Sequence, residues 1–245
     1  MKYQIHPGDN HKLIGEIPTG TVDSVITDPP YNKIASKWDQ EIDLEWMWRE
    51  FDRITGPDAH FIFTAAQPFC SQLVMSKLEW FKHDWIWEKP NGMGQVKYGP
   101  NRVHEHILVF AKNRIQYQPQ MTEGQPYVWD SVRSKNTDHP HWKDDHKIVN
   151  TGQRYPRSVQ KIKQQRGLHP TQKPVELFEL LVKSYTQPNQ HILDPYMGSG
   201  TTGLACLLNN RNFIGFEQDA TYFDTASKRL EQLSQINNSN TPKRS

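Results

Sequence analysis

The chain has 245 residues, of which 35% are apolar, and a formal net charge of +2. That length holds one α/β domain, or one domain with an insertion, and eight Trp and nine Tyr add large buried areas to the core. No stretch approaches the ~20 apolar residues of a membrane span, Met1 to His6 lacks the apolar core and cleavage site of a signal peptide, and the only two cysteines, Cys70 and Cys206, read as buried free thiols, which together predict a cytoplasmic protein.

In chain order, strands are predicted at Tyr3–His6, Val22–Thr27, His60–Phe63, Trp85–Trp87, Ile107–Phe110, His191–Leu193 and Phe213–Phe216. Helices are predicted at Leu44–Ile54, at Pro174–Gln187 with Val175, Phe178, Val182 and Tyr185 on one face, at Thr201–Leu208 and at Ala220–Leu233. This alternation implies an α/β fold, a Rossmann-like, mostly parallel sheet with helices on both faces. Residues 1–114 and 167–236 form its core. Ile34–Ile42 reads as a mobile loop. Residues 115–166 are rich in Gln, Asn, His, Pro and charge, with no clear core element. About 50 such residues exceed an ordinary connection, and they are expected to be an insertion that carries recognition. Residues 237–245 read as a disordered tail.

Two strand ends carry chemistry. Gly198-Ser199-Gly200-Thr201-Thr202-Gly203 fits a nucleotide-binding turn between strand and helix, and Glu217 ends the next strand about 20 residues on, where it can accept bonds from ribose hydroxyls. A ligand-free tight turn would look the same. Asp194, just before the turn, would repel a pyrophosphate and suits a cationic amino-acid cofactor, which points to S-adenosylmethionine. The second strand end is Asp28-Pro29-Pro30-Tyr31, after Val22–Thr27. The exocyclic amine of adenine or cytosine is a weak nucleophile because its lone pair is delocalised. Asp28 and the Pro29 carbonyl can accept its two N–H groups, Pro30 stiffens the turn, and Tyr31 can stack on the base. Catalysis is then mostly orientation, with no metal. The plainer alternative is a Pro-Pro turn with a packed Tyr. In duplex DNA such a base must first be flipped out.

Lys147, Arg154, Arg157, Lys161, Lys163 and Arg166 form a basic run with no acidic residue between them. It can contact phosphates, or it can be a solvated loop. His104, His106, His139, His141 and His146 lack a ligand framework for a metal. No Pro-Cys nucleophile is present, which argues against methylation at cytosine C5. Trp46 and Trp48 are expected in the core or an interface.

The order of these motifs resembles the permuted β group of S-adenosylmethionine-dependent amino DNA methyltransferases. Asp28-Pro29-Pro30-Tyr31 comes first, then residues 115–166, then His169-Pro170-Thr171-Gln172-Lys173-Pro174, then Asp194 to Gly200. Glu105-His106-Ile107-Leu108-Val109-Phe110 is similar to a core strand of that family, and Trp87-Glu88-Lys89-Pro90 also resembles it. The resemblance implies that Asp9 contacts the cofactor's adenine and Glu217 its ribose. It implies that Asp194, Tyr196, Gly198, Ser199, Gly200 and Thr201 line the methionine side, with Asp28 beside them and Gln172 and Lys173 near the carboxylate. Asp9 alone also reads as a helix N-cap. The Asp-Pro-Pro-Tyr form implies adenine N6 in a short sequence of double-stranded DNA. Cytosine N4 on the same scaffold, an RNA or protein amide substrate, and a cofactor-sensing DNA-binding protein are the alternatives. A homodimer, a companion restriction endonuclease and a prokaryotic or phage-infected host cell are implied by the same resemblance.

Overall fold

The computed structural model describes residues 2–31, 42–93, 97–131, 146–165, 167 and 172–239. Two compact units are present, one formed by residues up to Gln118 and from Ser158 onward, the other by Pro119–Arg157.

In the larger unit the chain runs β1 (Tyr3–Pro7), α1 (Asn10–Glu16), β2 (Val22–Thr27), α2 (Leu44–Ile54), β3 (Thr55–Ala65), α3 (Phe69–Ser76), β4 (Phe81–Met93) and β5 (Arg102–Ala111). The smaller unit holds β6 (Thr122–Glu123), β7 (Tyr127–Ser131), β8 (His146–Asn150) and β9 (Gln153–Arg154). The larger unit then resumes with β10 (Val159–Lys161), α4 (Val175–Tyr185), β11 (His191–Asp194), α5 (Thr201–Leu208), β12 (Asn212–Glu217) and α6 (Ala220–Ser239).

Eight strands form one sheet in the order β1-β12-β11-β2-β3-β5-β4-β10. Neighbours pair in parallel except around β5, which runs antiparallel to both β3 and β4. Strand alternation sorts side chains to two buried faces. Ile26, Ile62, Ile107, Val109, Ile192 and Phe213 pack with Leu177, Phe178, Leu181, Ala205 and Leu230 of α4, α5 and α6. Val25, Phe61, Phe63, Leu108, Phe110 and Leu193 pack with Ile14, Met47, Phe51 and Leu73 of α1, α2 and α3. Trp48 lies in the second face, its ring edge-on to Phe61 and Phe63, its Nε1 donating to Ser76 Oγ at 2.8 Å. Trp46 stacks on His11 instead, with ring centroids 3.8 Å apart.

The edges of the 115–166 stretch join the larger unit, unlike the sequence expectation. Ile115 packs on the core, and Val159–Lys161 adds β10 beside β4. Ile162 is buried, and its carbonyl accepts Trp87 Nε1–H at 2.9 Å. Single apolar residues among polar neighbours give too short a signal to reveal this from sequence. Within the smaller unit, β6 pairs with β9 and β7 with β8, both antiparallel. The Arg154 guanidinium organises that unit: it donates to the Gln125 carbonyl and to Asn150 Oδ1, and lies 4.8 Å from the Tyr127 ring centroid. α6 runs on to Ser239, so helix continues past Asn237, where the tail was expected to begin. Residues 34–41 of the expected loop, residues 240–245 of the expected tail, Arg166, His139, His141, and the His169-Pro170-Thr171 part of the hexapeptide lie outside the described residues.

Candidate active site

The parallel strands all end at one rim. β2 continues through α2 to β3 on one side, whereas β11 continues through α5 to β12 on the other. The β2–β11 boundary is therefore the topological switch point, where open α/β sheets leave a crevice for ligands. Ile192 lies opposite Ser24 and Leu193 opposite Val25, so Asp28 and Asp194 leave adjacent strands at this boundary.

Strand alternation explains which other groups reach the rim. On the face covered by α4, α5 and α6, five strands place a polar residue two positions rimward of a core residue. The pairs are Ile26 and Asp28, Ile62 and Thr64, Trp87 and Lys89, Ile107 and Glu105, and Ile192 and Asp194. Because β5 is antiparallel, its contribution precedes its apolar run.

Asp28 sits at the centre of a hydrogen-bonded cluster. Its Oδ1 accepts from the Tyr31 hydroxyl at 2.7 Å and from the Thr64 hydroxyl, and the two hydroxyl oxygens are 2.9 Å apart. Its Oδ2 accepts from Lys173 Nζ at 2.7 Å. An ionised carboxylate offers about four acceptor sites, so three donors leave capacity for one more, and 22% of the Asp28 side chain stays exposed. The Tyr31 ring stacks on Phe69, with centroids 5.6 Å apart. Burial, then the Asp28 and Glu105 charges, hold the Tyr31 hydroxyl well above its ordinary pKa, so it remains a proton donor.

Asp194 is committed inward. It is 2% exposed. Oδ1 accepts from Thr27 Oγ1 at 2.6 Å and from the Tyr196 N–H at 3.1 Å, and Oδ2 accepts from Thr202 Oγ1. The carboxyl thus ties β2, the turn and α5 together. Burial pushes its pKa up to about 7 against those three bonds. Ser199 and Thr201 are also buried; Arg229 donates to the Ser199 carbonyl, and Thr201 Oγ1 lies 3.4 Å from the Lys173 carbonyl.

The groups of the turn that stay partly exposed are Tyr196, Gly198 and Glu217. Gly198 has φ +51° and open space where a Cβ would project, so its backbone is approachable. Gly200, at φ +79°, answers to packing, since a Cβ would lie 3.0 Å from Ala226 Cβ. Glu217 accepts from the Gly198 N–H at 2.9 Å and the Asp219 N–H at 2.8 Å. Both its oxygens are anchored, and each keeps acceptor capacity for a ligand hydroxyl. The Gly8 N–H donates to the Glu217 carbonyl, which brings the β1 end to the same rim. There Asp9 caps α1, accepting from the His11 N–H at 2.9 Å, and Asn10 bonds the Tyr196 hydroxyl, whose pKa burial pushes up to about 12. An approachable glycine backbone beside an anchored acidic side chain fits a ribose-bearing ligand.

The basic run is divided between the two units. Lys147, Arg154 and Arg157 belong to the smaller unit, and Lys161 and Lys163 to the larger. Lys161 lies 3.2 Å from Glu88 Oε1, while Lys163 is exposed. Sequence reasoning gave no role to Thr64, Glu105, Lys89, Thr27 or Thr202. Glu105 and Lys89 had a cue as members of familiar-looking segments, Thr202 as part of the glycine turn and Thr27 as the end of its strand.

The N6/N4 family model described as DNA methylase matches residues 22–228. The chain belongs to this DNA methylase family. It is a methyltransferase acting on exocyclic amino groups, N6 or N4, of DNA bases. Type II methyltransferase M1.MboII of Moraxella bovis is 26% identical to the methylase over 261 residues, covering 94% of it and 97% of that relative. The solved structure of an M1.HpyAVI–SAM complex is 30% identical, covers 93% of this chain and 98% of that one, and superposes with TM-score 0.67. The structure of PvuII DNA methyltransferase (cytosine-N4-specific), 16% identical with 97% and 92% coverage and TM-score 0.68, shares the fold.

Proposed function

We propose that the protein methylates adenine N6 within a short sequence of double-stranded DNA, with S-adenosylmethionine as methyl donor. The observation that carries the reading is Asp28 at the switch point: a carboxyl acceptor with room for one more donor, one strand from the glycine turn. A base flipped from the duplex presents its amine there. Asp28 accepts one N–H and the Pro29 carbonyl the other, which localises the nitrogen lone pair and aims it across the β2–β11 boundary. Tyr31, braced by Phe69, supports the base plane. On the other side, Glu217 and the Gly198 backbone hold the ribose-bearing cofactor, with Asp9, Tyr196 and Gln172 around it. When bound, the cofactor supplies an electrophilic methyl carbon on a sulfonium. Residues 119–157 carry target recognition, and Lys147, Arg157 and Lys163 contact phosphates. The Type II name of M1.MboII supports a restriction–modification setting with a companion endonuclease.

Cytosine N4 is the second reading, because the same fold serves a cytosine-N4-specific enzyme. Digestion of methylated DNA to nucleosides separates the two. N6-methyldeoxyadenosine is expected, and N4-methyldeoxycytidine alone would overturn the adenine assignment. Asp28→Ala is expected to abolish transfer while leaving cofactor affinity within about twofold, since the clamp acts on the base.

A further inference from the structure

Lys173 is buried, with 6% of its side chain exposed, and its ammonium lies between two carboxylates, 2.7 Å from Asp28 Oδ2 and 3.3 Å from Glu105 Oε2. Glu105 in turn accepts from Lys89 through Oε1. Asp28, Lys173, Glu105 and Lys89 thus form a line of alternating charge, internally neutral, assembled from the end of β2, the segment before α4, the rimward half of β5 and the rimward half of β4. Glu105 Oε2 has no well-aligned hydrogen bond and is buried, so Lys173 holds it by charge. The resemblance to known methyltransferases implied that Lys173 serves the cofactor's carboxylate. Its ammonium lies against two protein carboxylates.

We infer that Lys173 is a positioning residue for the amine clamp: it holds the Asp28 carboxylate in one orientation, and Glu105 with Lys89 holds Lys173 in place. The inference rests on the reading of Asp28 as the amine's acceptor. Orientation matters because Oδ1 is fixed by Tyr31 and Thr64, so a donor on Oδ2 leaves the carboxylate a single rotamer. Burial alone would lower the Lys173 pKa, yet Asp28 and Glu105 more than offset it and raise it. Burial would raise the Glu105 pKa, yet Lys173 and Lys89 lower it. Among the described residues, the groups facing Asp28 are Tyr31, Thr64, Lys173 and, one strand away, Asp194; those facing Lys173 are Asp28, Glu105 and the Tyr31 ring, 5.6 Å from its Nζ. Lys173 is the donor to Oδ2 among these, so removing it lets the carboxylate turn about its Oδ1 bonds.

The test uses the full-length protein, tritium-labelled S-adenosylmethionine and unmethylated genomic DNA. Lys173→Met is expected to lower the single-turnover rate at saturating cofactor and DNA by about 100-fold, with cofactor Kd from equilibrium dialysis changed by less than about twofold. Lys173→Arg, which keeps a cationic donor, is expected to recover most of the rate. Glu105→Gln, which keeps shape and removes the second anion that holds Lys173, is expected to slow the same step by about 10-fold, again with cofactor Kd little changed. Weak cofactor binding with a preserved saturated rate would overturn the inference in favour of a cofactor contact. A slowed Lys173→Met whose rate Lys173→Arg does not recover would overturn it in favour of a merely structural role. If Lys173→Met fails to fold, Lys173→Arg and Glu105→Gln decide alone, and a Glu105→Gln protein with the wild-type saturated rate sinks the idea. A wild-type protein that transfers no methyl group to DNA removes the clamp reading and the inference together. Inactive Asp28→Asn beside a fully active Lys173→Met removes the inference alone.

Discussion

Replacing Asp194 with Asn separates two roles that a buried carboxyl at a ligand turn can play. The geometry allows the exchange: the Asn carbonyl keeps the Thr27 and Tyr196 donors, and its NH2 faces Thr202, whose hydroxyl can rotate to accept. What disappears is the ionisation. An aspartate in the unfolded chain titrates near 3.9, whereas burial holds Asp194 at about 7 in the fold. Between those values the folded protein binds the extra proton, so stability falls as pH rises. The contribution is complete below about pH 4 and is lost once pH passes about 7. At about 1.4 kcal/mol per pH unit, the interval of roughly three units amounts to about 4 kcal/mol. Urea unfolding of wild type and Asp194→Asn from pH 4.5 to 8.5 tests this by difference, because every other titrating group is shared. The variant is expected to match wild type at the acid end and to exceed it increasingly up to about pH 7, with no further gain above. A wild type more stable than Asp194→Asn at pH 8, or a pH-independent difference, would show that the three hydrogen bonds outweigh desolvation and that the carboxylate stays ionised in the fold.

Gly215→Ala is expected to cost about 1–3 kcal/mol by overpacking, read from the denaturant midpoint, because a Cβ there would lie 2.5 Å from Met197 Sδ and 2.6 Å from the Phe213 ring. Tyr185→Phe removes a buried hydroxyl that accepts Trp85 Nε1–H at 2.7 Å and lies 2.8 Å from His83 Nε2; a loss of about 1–3 kcal/mol is expected in the same assay, since Trp85 is left without its acceptor. Lys163→Ala should weaken DNA binding across sequences and reduce the slope of log K against log salt by about one; an unchanged slope places the phosphate contacts elsewhere. Arg154→Glu is a poor probe of DNA contact, because it removes the bonds to Gln125 and Asn150, and proteolysis within residues 119–157 is expected to accelerate.

The sequence made the rim legible and left its interior dark. Long apolar runs ending in Asp28 and Asp194 announce strands and their functional ends, and Leu44–Ile54 and Thr201–Leu208 match their helices residue for residue. α1 was visible only through its cap, Asp9, because a seven-residue helix carries little periodicity. α3 escaped notice, its apolar residues being spread around the helix. β10 was lost because three residues of an edge strand, with Val159 exposed, carry almost no pattern. The partners of Asp28 were hidden for a different reason. Thr64, Glu105 and Lys173 are ordinary residues locally, and their meaning comes from pairings between segments far apart in the chain.

The reversed direction of β5 has a consequence for how this protein can vary. Glu105 reaches the rim only because it stands opposite Trp87, with Ile107 opposite Trp85 behind it. Inserting or deleting one residue between Glu105 and Ile107 would swing the carboxylate through the sheet to the layer of α1, α2 and α3 and bring a neighbouring histidine to its place, leaving Lys173 without its second anion. Descendants of this chain can therefore lengthen the loops on either side of β5 far more freely than β5 itself.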